Sequence, residues 1–248
     1  MQPKTIKYSQ RLGDIIRCLP ACKYLADQGH EVFFDCFAQY QEVFEIVSYV
    51  KAGHNQGEVI DLEIWPNRYV EYRSSGKTWT EFVYSHPLIQ KANALNINFD
   101  KLDEQKAQGL PDEYNLVAPF GISQGHKRNP LEIIVEARKK LGEKNFFVLC
   151  PEGTKINGLE CYTAPSIPEM ARAIRGAKEL WCIDSSPMVI ARAVRKDKKV
   201  MYFPQTLEPF LPCPVIPFWA FPPSPFMHPQ GSFFVDLPDS LAPLHPKH

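Results

Sequence analysis

Apolar and polar positions along this chain alternate between short runs spaced for strands and longer stretches spaced for helices. Thr5 to Ser9 reads as a first strand that closes at Gln10-Arg11-Leu12-Gly13-Asp14. Beyond it Ile15, Ile16, Leu19, Cys22, Leu25 and Ala26 recur at helical spacing, with Gly29 as the stop. His30 to Cys36 then reads as a second strand, which completes a βαβ unit. Pro20 lies inside the helical stretch, where a proline costs about 3 kcal/mol or forces a kink, so distortion is expected there. Residues 40–50 are spaced for a helix and Glu58 to Leu62 for a third strand. Residues 65–112 carry Trp65, Tyr69, Tyr72, Trp79, Phe82 and Tyr84 without a clean period.

A second series starts with the strand pattern Tyr114 to Phe120, followed by a loop bounded by Gly121 and Gly125. The next helix is marked at both ends: Asn129 as cap, Pro130 in the first turn, Glu132 three residues after the cap, and Gly142 beyond Leu141. Asn145 to Cys150 reads as a strand, Ser166-Ile167-Pro168-Glu169 opens a helix through Ile174, and Leu180 to Asp184 is a buried strand. Ser185, Ser186 and Pro187 lead into a helix from Met188 to Arg195, and Lys199 to Phe203 is a last strand. Such alternation predicts parallel sheets with helical crossovers. The expected fold is therefore α/β, with two Rossmann-like domains facing one another across a cleft, residues 1–112 and 113–203. From Pro204 to His248 the chain holds 12 of its 23 prolines, many beside Phe or Trp, which predicts an extended, packed strap over 204–248.

Composition narrows the picture. At 248 residues, 44% hydrophobic and 23% charged, the chain can build a sizeable core and is not disordered. Lys+Arg and Asp+Glu both number 28, so no global field recruits nucleic acid or anionic membrane. No apolar run approaches the roughly 18–20 residues of a membrane-spanning helix, and the N-terminus lacks the pattern of a secretory signal, which predicts a cytoplasmic protein. The seven cysteines, Cys18, Cys22, Cys36, Cys150, Cys161, Cys182 and Cys213, include no C-x-x-C pair and are expected to be reduced core residues. Cys18 and Cys22 stand one helical turn apart, but no second ligand pair follows at zinc spacing, so no metal is expected.

Three strand-to-helix junctions offer chemistry, because open α/β sheets bind ligands beyond the carboxyl ends of their strands and helix starts attract anions. At the first, Gly13 permits a tight turn and Asp14 stands at a helix start, as a base in the cleft or as a helix cap. The second, Gly121 to Pro130, places Ser123, Lys127 and Arg128 before a helix, which suits a phosphate or a solvated basic loop. At the third, Asp184-Ser185-Ser186-Pro187-Met188, two hydroxyls can grip a phosphate oxygen or cap the helix. There is no G-x-G-x-x-G turn after the first strand and no G-x-S-x-G elbow, which disfavours a simple dehydrogenase or a triad hydrolase.

In this order the junctions resemble a family. Arg11-Leu12-Gly13-Asp14-Ile15-Ile16-Arg17-Cys18-Leu19-Pro20-Ala21 is similar to the opening R-x-G-D-hydrophobic-x-x-x-L-P-A segment of the ADP-heptose:lipopolysaccharide heptosyltransferases, which have the two-domain GT-B fold. His126-Lys127-Arg128-Asn129-Pro130 resembles that family's K-R-W-P stretch, and Ile183 to Ala193 its N-D-S-G-P-M-H-L-A-A-A stretch. Ser186 stands where the family has glycine, Asn129 where it has tryptophan, and Val189 near its histidine. The resemblance covers residues 5–36 and 114–203 and makes Pro20 an expected feature of its helix. It implies transfer of a sugar from a nucleotide-sugar co-substrate to an acceptor hydroxyl, with inversion and with no further cofactor. Residues 1–112 would then form the acceptor side and 113–203 the donor side. Asp14 would be the catalytic base, while Gly13, Ser123, Lys127, Arg128, Asp184, Ser185, Ser186 and Met188 would serve the donor. Glu152, just past a strand, would hydrogen-bond a ribose hydroxyl or stand as an exposed turn carboxylate. The donor base and sugar, the acceptor (a glycan or small molecule) and the oligomeric state stay open. Two alternatives stand beside this reading. One is a nucleotide-binding module without turnover. The other is transfer to nucleic acid, held by Arg192, Arg195, Lys196, Lys198 and Lys199 with the aromatics of 65–84 stacking on bases.

Overall fold

The computed structural model of the protein describes residues 2–9, 11–121, 129–195, 200–203, 211–212 and 234–235. It divides into two compact units, one built on Met1–Glu104 and the other on Gln105–Ala191. The seam between them falls at Glu104–Gln105. The reason is local: the segment after the seam is fastened to the second unit. The buried Glu169 carboxylate accepts from the Gln108 amide at 3.0 Å, and Arg175 donates to the Gln105 carbonyl at 2.9 Å.

In the first unit β1 (Lys4–Lys7), α1 (Leu12–Asp27) and β2 (Val32–Asp35) form the expected βαβ unit, followed by β3 (Lys51–Ala52) and β4 (Glu58–Asp61). The sheet is wholly parallel, in the order β3-β2-β1-β4. Central position explains why Thr5 and Ile6 of β1 are both fully buried, since strands inside a parallel sheet are covered on both faces. Helix α1 continues through Pro20, as expected, and Pro20 is itself buried. Residues 40–50 do not form an α-helix. Ala38–Ile46 is a 3-10 helix, whose repeat of about three residues per turn brings the buried Val43 and Ile46 to one side. The aromatic stretch contains two short helices, α2 (Tyr69–Ser74) and α3 (Trp79–Val83), the latter opened by a reciprocal Thr78–Glu81 capping box. Tyr72, Phe82 and Tyr84 are buried within the unit, so they form protein core and not a base-stacking strip.

The second unit continues with β5 (Asn115–Ala118), α4 (Pro130–Leu141), β6 (Phe146–Leu149), β7 (Lys155–Ile156), β8 (Glu160–Tyr162), α5 (Ile167–Gly176), β9 (Glu179–Ile183), α6 (Ser186–Val194) and β10 (Val200–Phe203). The short β11 (Leu211–Pro212) and β12 (Phe234–Val235) follow. The main sheet has the order β11-β10-β9-β5-β6-β8, parallel except for β11, and β12 pairs with β7. The predicted caps form: Asn129 Oδ1 accepts from Leu131 N at 3.0 Å, Ser166 Oγ from Glu169 N at 3.2 Å, and Gly142 ends α4 with φ of 80°. One face of α4, through Ile133, Ile134 and Ala137, packs on Val117, Val148, Trp181 and Ile183 of the central strands. Pro212 stands in the edge strand β11, where a missing N–H breaks no inner ladder; the rest of the expected strap lies outside the described residues.

Cys18, Cys22, Cys36, Cys150 and Cys182 are buried and, with the half-buried Cys161, are free thiols. Burial pushes the Cys22 and Cys150 thiols well up, which keeps them protonated and unreactive.

Candidate functional site

Each sheet has one place where the chain reverses its direction of strand addition, and ligands bind in the crevice that opens there. In the first unit it lies between the carboxyl ends of β1 and β4. Leu62 N bonds to Lys7 O at 3.0 Å, and Tyr8 N bonds to Asp35 O at 3.1 Å, so the segments leaving both strands are held in place. Ser9 donates to Glu63 Oε1 through its amide at 2.6 Å and also through its hydroxyl. That clasp ties the loop after β1 to the end of β4 and sets the start of α1.

Asp14 is the third residue of α1, in the acidic first turn that a helix dipole favours. Its side chain is 15% exposed. Oδ2 accepts from the Tyr8 hydroxyl at 3.2 Å, while the Arg17 guanidinium stands 3.4 Å from Oδ1. Trp79 Nε1 donates to the Tyr8 oxygen at 3.2 Å, and the two rings meet edge-on with centroids 5.7 Å apart. Arg17 lies 5.8 Å from the Trp79 ring centroid, and its backbone carbonyl accepts from the Tyr84 hydroxyl at 2.7 Å. The first junction thus presents a carboxylate with a hydrogen-bond donor at one oxygen and a cation at the other. Burial, reinforced by the Asp14 charge, raises the Tyr8 hydroxyl well above its ordinary range, so it stays a proton donor.

In the second unit the reversal lies between β5 and β9, and there the second and third junctions come side by side. A Cβ placed on Gly121 would stand 3.1 Å from Ile183 Cδ1 and 3.2 Å from Ser185 Cβ. A side chain there would require Ile183 or Ser185 to give by a few tenths of an ångström, so glycine suits this close approach of the loop after β5 to the loop after β9. Ser185 Oγ donates to the Ile183 carbonyl at 3.3 Å, and the Ser185 carbonyl accepts from Met188 N at 3.1 Å, which starts α6. Asp184, Ser185 and Ser186 are half-buried, whereas Met188 is a core residue at 4% exposure. Glu152 is exposed in the turn Pro151–Thr154 after β6. Ser123, Lys127 and Arg128 lie outside the described residues, as do Lys196, Lys198 and Lys199.

No protein-family model matches the chain, and no curated protein matches it. Solved structures do. The dodecameric iron-containing glycosyltransferase TibC of enterotoxigenic E. coli superposes with a TM-score of 0.58 at 14% identity, over 81% of this chain. The chain has the fold of the heptosyltransferases. It spans 57% of the TibC chain. A family 9 glycosyl transferase of Veillonella parvula matches with a TM-score of 0.51 at 14% identity, over 76% of this chain and 77% of its own. E. coli heptosyltransferase WaaC, solved with ADP-2-deoxy-2-fluoro heptose, gives 0.51 at 12% identity, over 81% of this chain and 88% of its own. These matches bear out the two-series α/β reading and the resemblance to the heptosyltransferases in fold.

Among the described residues no three His, Cys, Asp or Glu side chains gather as a metal site, and no helix is long and apolar enough to cross a membrane. Sequence reasoning reached Asp14 but missed Tyr8, Arg17, Trp79 and Glu63. Trp79 is 71 residues from Tyr8 in sequence, and no local spacing announces such a pairing.

Proposed function

We propose that the chain is a glycosyltransferase that moves a sugar from a nucleotide-sugar donor to an acceptor hydroxyl, with inversion. The observation that carries the reading is the half-buried Asp14 carboxylate at the β1/β4 crevice of a heptosyltransferase-like fold. In this reading the first unit serves the acceptor and the second the donor, in a cytoplasmic protein. TibC has been solved in complex with ADP-D-beta-D-heptose and WaaC with an ADP-sugar analogue, which supports a nucleoside diphosphate sugar as donor here.

In this reading Asp14 takes the proton of the acceptor hydroxyl as its oxygen forms a bond to the anomeric carbon. The bond from that carbon to the diphosphate oxygen breaks, and the nucleoside diphosphate leaves with the electron pair. Lys127, Arg128, Ser123 and the Ser185-Ser186 start of α6 meet the growing charge, which lowers the barrier electrostatically and asks for no metal. Asp184 and Glu152 offer acceptors to donor hydroxyls, and Gly13 and Met188 belong to the donor side. The acceptor is a glycan or small molecule.

The test is thermal-shift and calorimetric titration with nucleoside diphosphates and nucleotide sugars, with and without Mg²⁺ and chelator. Micromolar binding that stabilises the fold in chelator is expected. Absence of binding to all of them overturns the reading.

A further inference from the structure

We propose that Tyr8 and Trp79 are positioning residues for Asp14: the Trp79 indole fixes the Tyr8 hydroxyl so that its single proton is given to the Asp14 carboxylate. The inference rests on the reading of Asp14 as the base.

The direction of the chain of hydrogen bonds follows from what each group can do. An indole N–H only donates, and an ionised carboxylate only accepts. The Tyr8 oxygen therefore accepts from Trp79 Nε1 at 3.2 Å, and its own O–H goes to Asp14 Oδ2, also at 3.2 Å. Tyr8 is 5% exposed, so water does not compete for that proton. The same Trp79 ring lies 5.8 Å from the Arg17 guanidinium, the cation at the other carboxylate oxygen. One side chain on α3 thus touches both Tyr8 and Arg17, and the Thr78–Glu81 capping box fixes the start of α3.

Among the described residues, titratable groups around the cluster include Arg17 and Cys18 on α1, Tyr72 and Arg73 on α2 and Glu63 after β4. Burial raises the Cys18 and Tyr72 groups, which keeps both protonated, and Arg17 is a charge in direct contact with Asp14. The Tyr8 proton favours the ionised form of Asp14 and fixes its rotamer. It leaves the carboxylate ready to accept a proton from the substrate, at reduced proton affinity.

Tyr8→Phe tests the proposal because it keeps the ring packing against Trp79 and removes only the O–H. The readouts are the titration of the Asp14 carboxyl carbon in ¹³C-aspartate-labelled protein, assigned by its loss in Asp14→Asn, and the pH profile of kcat/KM for transfer. Tyr8→Phe is expected to raise the Asp14 midpoint by about one pH unit and to move the acid limb of kcat/KM the same way. It should lower kcat about tenfold or more while donor KM holds. Trp79→Phe should shift the midpoint in the same direction by less, since Tyr8 keeps its proton but loses its orientation. An unmoved midpoint in folded Tyr8→Phe overturns the proposal. If Tyr8→Phe does not fold, an unmoved midpoint in Trp79→Phe does so. Full transfer activity in Asp14→Asn overturns this proposal together with the role of Asp14, whereas an inactive Asp14→Asn beside an unmoved titration overturns this proposal alone.

Discussion

Gly121 and Ser185, 64 residues apart in sequence, lie at van der Waals distance: a Cβ on the glycine would stand 3.2 Å from the serine Cβ. The contact joins the two loops that the proposed donor site needs together. Gly121→Val should push the loop after β9 aside and weaken nucleoside diphosphate binding about tenfold or more, since the added branch has no space between Ile183 and Ser185. Calorimetry with ADP on the folded variant checks this. Unchanged affinity would place the diphosphate away from the β5/β9 crevice.

Asp14→Ala should abolish transfer, by about 10²–10⁴-fold in kcat as expected for a general base, while leaving nucleotide affinity within a factor of two. Its loss strands the Tyr8 proton and the Arg17 charge, so a small drop in melting temperature accompanies it. Steady-state kinetics beside ADP calorimetry separate the two effects, and a fully active variant would remove Asp14 from the chemistry.

Replacing Lys127 and Arg128 together by Ala should weaken binding of nucleoside diphosphates far more than of nucleosides. The residual affinity should also lose much of its salt dependence, because two charges that meet phosphate are gone. Equal losses for nucleoside and diphosphate would contradict that role.

The first unit should become less stable in mild acid. Burial and the Arg68 charge hold the His86 pKa below its ordinary value, and its Nδ1 accepts from Leu88 N at 3.4 Å. A folded pKa below the unfolded one means the unfolded chain binds more protons. Stability is then present above about pH 6.5, the usual histidine value, and falls as pH drops through the folded value. Melting curves from pH 7.5 to 5 should show a downward step in wild type that is reduced in His86→Gln; parallel curves would count against it.

What the sequence revealed was mostly local. The Asn129, Pro130 and Gly142 signals mark α4 because caps satisfy backbone groups within a few residues of themselves. The R-x-G-D pattern found Asp14 for the same reason, since strand, turn and helix start are contiguous. The Thr78-x-x-Glu81 box was equally local, yet the density of aromatics around it hid the short α3. Residues 40–50 read as helical without a type, and Ala38–Ile46 is a 3-10 helix, because spacing of three is shared by two helix types. Tyr8, Trp79, Arg17 and Glu63 converge only through the placement of β4 and α3 beside β1, and their pairing is a property of the fold.

Among the described residues β3 and β4 form the margins of the first sheet, and they differ from the strands inside. The β3 margin is only two residues long and carries Lys51, which pairs with Glu31; the β4 margin carries Glu58 and Asp61. A brief, charged margin gives a passing strand little ladder to extend and requires it to bury ionised groups. Until those margins form, the central β1 and β2 have open edges of their own. Once β3 and β4 flank them, this sheet resists edge-to-edge aggregation even where Val59 faces solvent.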